Sequence, residues 1–224
     1  MQASKSQALR ARVAIISRLL SAAAEGILKR RDLPRIVAVH LVQQHQIIRA
    51  SVPLMEAACR AAKRAGEDAV CRALAGYLER HIEEERHHDE WTLEDLASAG
   101  IERTRILATQ PSAHVASLVG AQYYWILHYH PVALLGYIAV TEGNAPTGDL
   151  IERLQAQTGL PESVFRTLRL HAEVDPDHQA ALDAFIDCLP LDAGHERLLA
   201  DSAIHTGARL ADCLADTLHL NELE

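Results

Sequence analysis

The chain reads as an all-α protein, a single-domain helical bundle of about seven helices over residues 1–224. Three observations predict this. Apolar residues recur with helical spacing along most of the chain. The composition is 49% hydrophobic but only 4% aromatic, with alanine and leucine abundant, which suits packed helices and is too apolar for disorder. No stretch shows convincing strand alternation.

The elements follow in order. Ser6 to Ala24 forms a first amphipathic helix, ended near Gly26. Pro34 suits the first turn of a second helix running to about Arg64, with a kink expected at Pro53. Glu67 to Ala99 reads as one long third helix, ended by Gly100. Pro111 and Ser112 open a fourth that runs to Glu142, kinked at Pro131. Gly143 to Pro146 is a break. A short helix spans Thr147 to Thr158, ended by Gly159; the next runs from Pro161 to Leu189, where Pro190 stops it. Asp192 to Leu220 is the last. Linkers are short and no repeat is present, hence one domain.

Composition excludes several classes. A formal charge of −8 argues against a nucleic-acid surface. Cys59, Cys71, Cys188 and Cys213 show no paired spacing and read as thiols in a reducing compartment. Residues 1–26 carry charges throughout and lack the pattern of a secretory leader, so a cytoplasmic location is expected. Ile106 to Thr141 contains no Asp, Glu, Lys or Arg, but its polar residues interrupt it too often for a membrane span. A buried central helix fits better.

Two segments share one spelling: His81-x3-Glu85-x2-His88 and His171-x3-Asp175-x2-His178. On an unbroken helix with Val70 at the origin, His81, Glu85 and His88 lie at about 20°, 60° and 0°, inside the stripe of Leu74, Tyr77 and Leu78. Glu83, Arg86 and Glu90 lie opposite. With Val164 at the origin, His171, Asp175 and His178 fall at about 340°, 20° and 320°, beside Leu168 and Leu182. Six ionisable groups therefore aim at the core, where an unpaired charge costs several kcal/mol. A bound cation compensates, because it takes neutral imidazole and ionised carboxylate together. A metal-free hydrogen-bond network is the competing explanation.

Between Glu102 and Asp149 the only acid is Glu142, at a helix C-terminus where the macrodipole disfavours it. It shares a face with Ile138, Leu135, His128 and Tyr124 and reads as a further ligand. Mixed histidine and carboxylate donors suit iron or manganese rather than structural zinc. Three carboxylates with three or four imidazoles suit two metals, and Glu85-x-x-His88 and Asp175-x-x-His178 match the acid-x-x-His pairs of di-iron bundles.

These motifs resemble those of the haem-oxygenase-like di-metal oxidases and oxygenases, relatives by fold of haem oxygenase and the TenA proteins. The resemblance covers roughly residues 35–190. It rests on Glu84 to Trp91 (EExxHDEW) with Ala97 to Gly100, on Glu142, and on His171 to His178, separated by gaps of 54 and 29 residues. It implies a haem-oxygenase-like bundle holding two iron ions per chain, manganese being open for one of them. It implies an enzyme that activates O2 to oxidise a small amine, amino acid or fatty acid. By that resemblance His88, Glu142 and His171 hold one metal, and Glu85, Asp175 and His178 serve the other, with Glu142 shared. His81 stands where some relatives place a carboxylate, and reads as an extra ligand, an outer partner or a substrate contact. Pro176 inside the second motif removes one backbone donor, and a kink there would move Asp175 relative to His178.

Tyr124, His128, His40 and Gln44, with Gln43, are candidates for a substrate pocket. A homodimer is the expected assembly. Three rival readings are a ferritin-like iron protein, a thiaminase-like hydrolase and a haem binder. The first needs a second inward glutamate, for which only Glu56 is on offer. The second needs a cysteine beside an acid–base set, and none is evident in sequence. The third is at odds with the doubled carboxylate stripes, because haem supplies most of its own iron's ligands.

Overall fold

The structure is a computed structural model and describes residues 3–218. Ten α-helices, not about seven, occur among these residues: α1 (Lys5–Ile27), α2 (Leu33–Arg64), α3 (Ala69–Glu85), α4 (His88–Ser98), α5 (Arg103–Ala108), α6 (Ala113–His128), α7 (Leu134–Thr141), α8 (Gly148–Thr158), α9 (Arg166–Cys188) and α10 (Ala193–Asp216). No strand occurs among the described residues. The predicted end of the last helix, Leu220, lies outside them.

Three differences account for the higher number. The long third helix is two, because Arg86 is extended (ψ 136°) and His87 is left-handed (φ 71°). The fourth is also two: α6 stops at His128, and His130 and Pro131 open a separate 3-10 turn that leads into α7. The short α5 lies in a stretch expected to be a linker. By contrast, Pro53 and Pro176 sit inside α2 and α9, which remain helical on either side of them.

Caps mark the other starts. Ser4 and Asp192 each form a reciprocal capping box, and Asp68, Ser112 and Thr147 accept from a backbone N–H one turn on. Gly159 ends α8 in the left-handed region that glycine adopts without strain.

Helix α7 is the centre of the packing. Leu134, Leu135, Gly136, Tyr137, Ile138 and Val140 are all buried, as expected for a helix that is apolar all round. It packs on α10 and also touches α1, α2, α6 and α9. Gly136 is what allows the close approach to α10: a Cβ there would stand 2.9 Å from Ala203 N and would collide with the Leu199 carbonyl. These are backbone atoms that cannot swing aside. A Gly136→Ala variant is therefore expected to lose about 3 kcal/mol of stability, read as a lower urea midpoint with unchanged slope. No helix among the described residues is long and apolar enough to cross a membrane.

Helix α2 packs on both α3 and α6, and α10 packs on both α1 and α6. Helix α9 is tied to α1 by Asp187, which accepts from Ser6 N and Ser6 Oγ at 2.8 Å each, and by the Arg10–Asp183 ion pair. It is tied to α4 by Asp95, 2% exposed, whose Oδ2 accepts from Thr167 N at 2.7 Å. That bond anchors the first turn of α9, one turn before His171.

Candidate metal centre

The end of α3, the start of α4, the residue after α7 and the middle of α9 converge. Two trios of metal-type donors result. In one, Glu85, His88 and His171 come together; in the other, His81, Glu142 and His178 do. Within each trio the three donor atoms lie within 4.8 Å of one another. All six predicted ligands and His81 are drawn into one region, but the partition differs from that expected. Glu142 groups with His81 rather than with His88 and His171, and His81 is as close to the centre as the others.

The break at Arg86 and His87 does part of this. Glu85 ends α3 and His88 begins α4, and the turn between them places His88 Nδ1 3.0 Å from Glu85 Oε2. His88 is 3% exposed and stacks on Trp91 at 4.6 Å. The inward aim of His88 thus comes from the turn and not from the continuous helical phase used to predict it. The strained backbone at His87 is tolerated at this turn.

Two imidazoles are oriented by groups outside the trios. His171 Nδ1–H donates to Thr167 O at 2.9 Å, which leaves Nε2 unprotonated in the neutral ring. His81 Nδ1–H donates to Glu84 Oε2 at 3.1 Å, while its Nε2 lies 2.6 Å from Glu142 Oε1. Orientation of one ring nitrogen by an oxygen acceptor is the usual support of a metal-bound histidine. The rings of His88 and His171 meet edge-on at 5.0 Å, and those of His81 and His178 at 5.4 Å.

Glu85 belongs to the first trio and reaches towards the second. Its Oε2 faces His88, and its Oε1 lies 3.8 Å from His178 Nδ1. Asp175 is 4% exposed and lies close enough to Glu142, Glu85 and His81 for their charges to act on it. Four buried polar atoms here have no hydrogen-bond partner: His88 Nδ1, Glu142 Oε2, Asp175 Oδ1 and His178 Nδ1. Orphaned donors and acceptors of this kind are costly, and their concentration on metal-type atoms fits a cation among them.

The electrostatics agree. Burial, with Glu142 and Glu85 adding to it, pushes the Asp175 carboxyl up to about 8. Burial alone would depress the His81 imidazolium, but the Glu142 and Glu84 carboxylates outweigh it and raise the group to about 9. Burial lowers His171. In the protein alone, protons do what a metal would otherwise do.

Several sequence expectations are corrected. Tyr124 is 66% exposed and His128 is exposed; their rings meet at a tilt at the surface, centroids 5.0 Å apart, and do not line the centre. The shared face with Glu142 assumed one helix across Tyr129 and His130, where the chain turns. The fourth helix as a whole is not buried: α7 is, but α6 presents Tyr124 and Leu127 to solvent. His40 and Gln44 do lie together, with Gln44 Nε2 3.3 Å from His40 Nε2.

Glu84 and Asp95 were not foreseen. With Val70 at the origin Glu84 falls at about 320°, on the margin of the apolar stripe. Asp95 gave one usable signal, an acid flanked by Leu93 and Leu96 on the buried face of its helix.

Cys71 also has neighbours that the sequence did not reveal. Its Sγ is 3.4 Å from His130 Nε2, and Asp68 Oδ2 is 3.5 Å from the same nitrogen. A hydrolytic triad requires the nucleophile and the orienting acid on opposite ring nitrogens. Here both face Nε2, Val132 N–H donates to Nδ1, and burial raises the thiol to about 11. The geometry is not that of a hydrolytic triad, although the donor atoms of Asp68, Cys71 and His130 lie within 4.8 Å of one another. Glu56, the glutamate a ferritin-like centre would need, pairs with Arg60 at the surface.

Fold and donor set together define a helical bundle with a buried histidine–carboxylate cluster of the kind that could hold metal. The chain belongs to a family described as iron-containing redox enzymes, whose model matches residues 53–211. Among solved structures, it is similar to a domain of unknown function with a haem-oxygenase-like fold from Shewanella denitrificans (TM-score 0.80, 16% identity, 93% of this chain and 89% of that one). It is also similar to a TenA homologue from Pseudomonas syringae (TM-score 0.69, 12% identity, 92% of each chain). A third is a CADD-like protein of unknown function from Nostoc punctiforme (TM-score 0.66, 16% identity, 93% and 96%). At these identities the likeness establishes the haem-oxygenase-like fold. No curated protein sequence matches the chain.

Proposed function

We propose that the protein is a non-haem di-iron oxidase or oxygenase that uses O2 to oxidise a small organic substrate. The observation that carries this reading is the pair of trios, each with two imidazoles and one carboxylate, with Glu85, the carboxylate of one, also 3.8 Å from His178 of the other. His88, His171 and Glu85 would hold one ion, and His81, His178 and Glu142 the other. Asp175 and the second oxygen of Glu142 supply further donors to either. When bound, two ferrous ions supply the electrons that activate O2.

The chain's own residues have definable tasks. Thr167 and Glu84 hold His171 and His81 with Nε2 presented inward. Asp95 fixes the start of α9 and thereby the height of His171. Trp91 covers one face of His88, and the stacked pair Tyr77 and Phe185, 4.4 Å apart, covers the His81 side. These rings exclude water, and in a dry site each charge interaction is stronger. Asp175, protonated near neutral pH without metal, must give up its proton to act as a donor, so loading releases a proton. The four free cysteines support a reducing, cytoplasmic setting.

The test is an anaerobic ferrous titration followed by exposure to O2. Saturation at about two irons per chain, with O2 uptake by the loaded protein, is expected from the two trios. Saturation at one iron, or no uptake, refutes the reading. Iron oxidation with no change in any of a panel of amines, amino acids and fatty acids would favour iron storage instead.

A further inference from the structure

The opposite end of α3 from His81 and Glu85 carries a second mixed group of donors. Asp68 caps the helix: its Oδ1 accepts from Cys71 N at 2.9 Å, which leaves Oδ2 for another partner. His130, in the turn between α6 and α7, brings Nε2 to 3.4 Å from Cys71 Sγ and 3.5 Å from Asp68 Oδ2. The thiol is fully buried, whereas the Asp68 and His130 side chains are 35% and 17% exposed, which leaves a way in from solvent.

These spacings are those of ligands around a small tetrahedral ion. Metal–sulfur bonds of about 2.3 Å and metal–nitrogen or metal–oxygen bonds of about 2.1 Å put S and N about 3.6 Å apart, and N and O about 3.4 Å apart. As hydrogen bonds they are poorer: one Nε2–H cannot serve both neighbours, and 3.5 Å is long for N–H···O. The start of α3 favours a thiolate and a carboxylate, and a divalent ion between two such anions leaves the group neutral. Val132 N–H donates to His130 Nδ1 at 3.1 Å, so coordination through Nε2 moves the ring proton to Nδ1 and gives up that bond. One hydrogen bond is a small loss beside a metal–thiolate bond.

We propose that Asp68, Cys71 and His130 form a second metal site, for a divalent ion of zinc type, separate from the histidine–carboxylate centre. The thiolate sets it apart from the two other trios, which offer only nitrogen and oxygen and suit iron. Three protein donors leave a fourth position for water, and the His195 ring, 4.6 Å from that of His130, stands beside the group. The ion would tie the start of α3 to the turn that leads into α7. Both helices run from there to the other centre, α3 to His81 and Glu85 and α7 to Glu142. Along α3 the separation is about 15 to 21 Å, so the ion braces elements of that centre without belonging to it. The site does not rest on the di-iron reading.

The test is a titration of the full chain with cobalt(II), under argon in thiol-free buffer. Cobalt takes zinc sites, and a thiolate ligand gives it a near-ultraviolet charge-transfer band that imidazole and carboxylate do not. The parent is expected to show this band and to lose it on addition of zinc. Cys71→Ser is expected to abolish it, and Cys188→Ser, at an exposed thiol, to leave it unchanged. Asp68→Asn and His130→Asn keep a capping side chain but remove a ligand, and each is expected to weaken cobalt binding at least about tenfold. No band in the parent, or a band that survives Cys71→Ser, overturns the proposal and leaves the group a hydrogen-bonded cluster. So does an unchanged affinity in both Asp68→Asn and His130→Asn, which decide the matter if Cys71→Ser fails to fold. A Cys71-dependent band in a protein that takes up no iron would sink the di-iron reading and leave this site standing.

Discussion

A Glu142→Gln variant is expected to bind about one iron fewer per chain than the parent and to consume O2 more than about 100-fold more slowly. Glu142 Oε1 lies 2.6 Å from His81 Nε2, and its Oε2 is buried without a partner. The amide keeps the shape but has only one acceptor oxygen, no charge, and an NH2 group that repels a cation. The trio of Glu85, His88 and His171 does not contain Glu142, so one ion should remain. Metal analysis after anaerobic loading and desalting checks the stoichiometry. Retention of two irons would show that Glu142 lies outside the centre. Loss of both would show that the trios are one interdependent site.

The metal-free protein is expected to lose stability as pH rises from about 6.5 to 9, with a fall in melting temperature of about 5 °C or more. The sign follows from two groups. His81 is raised to about 9, so its stabilisation is complete below its unfolded value of 6.5 and is lost as pH climbs through 9. Asp175 is raised to about 8, so the fold favours its neutral form, and ionisation above pH 3.8 progressively costs stability until about 8. Above pH 6.5 both act in one direction. His40, lowered to about 4, acts at the other end: its buried neutral ring costs stability as pH falls from 6.5 towards 4. Zinc, as a redox-inert probe at saturating concentration, should flatten the alkaline loss, because it stabilises neutral His81 and ionised Asp175. An alkaline limb of equal slope with and without zinc would mean that these groups do not meet the metal. Differential scanning fluorimetry from pH 5.5 to 9 is sufficient.

The inward aim of His171, Asp175 and His178 was legible because α9 is continuous through all three, so a wheel describes it. The wheel also served for His81, which lies within α3. It gave the right direction for His88 for the wrong reason, since a left-handed residue intervenes at His87. It failed for Tyr124 and His128, where the chain turns between α6 and α7 before reaching Glu142. In each case a helical phase holds only as far as the helix does. Breaks made by a histidine in the left-handed region, or by a His-Pro pair, leave little trace in composition.

Chemistry and order were written in the linear chain: two histidine–acid–histidine motifs, a solitary glutamate, and an all-helical pattern to bury them. Which donors share a trio, which carboxylate reaches towards both, and which outer groups orient the imidazoles were decided only by packing. A ligand atom's position depends on the crossing of helices far apart in sequence, here α3, α4, α7 and α9. That crossing is set by contacts such as Asp95 to Thr167 and by the close seat of Gly136 on α10. No periodicity within one helix encodes the distance to another.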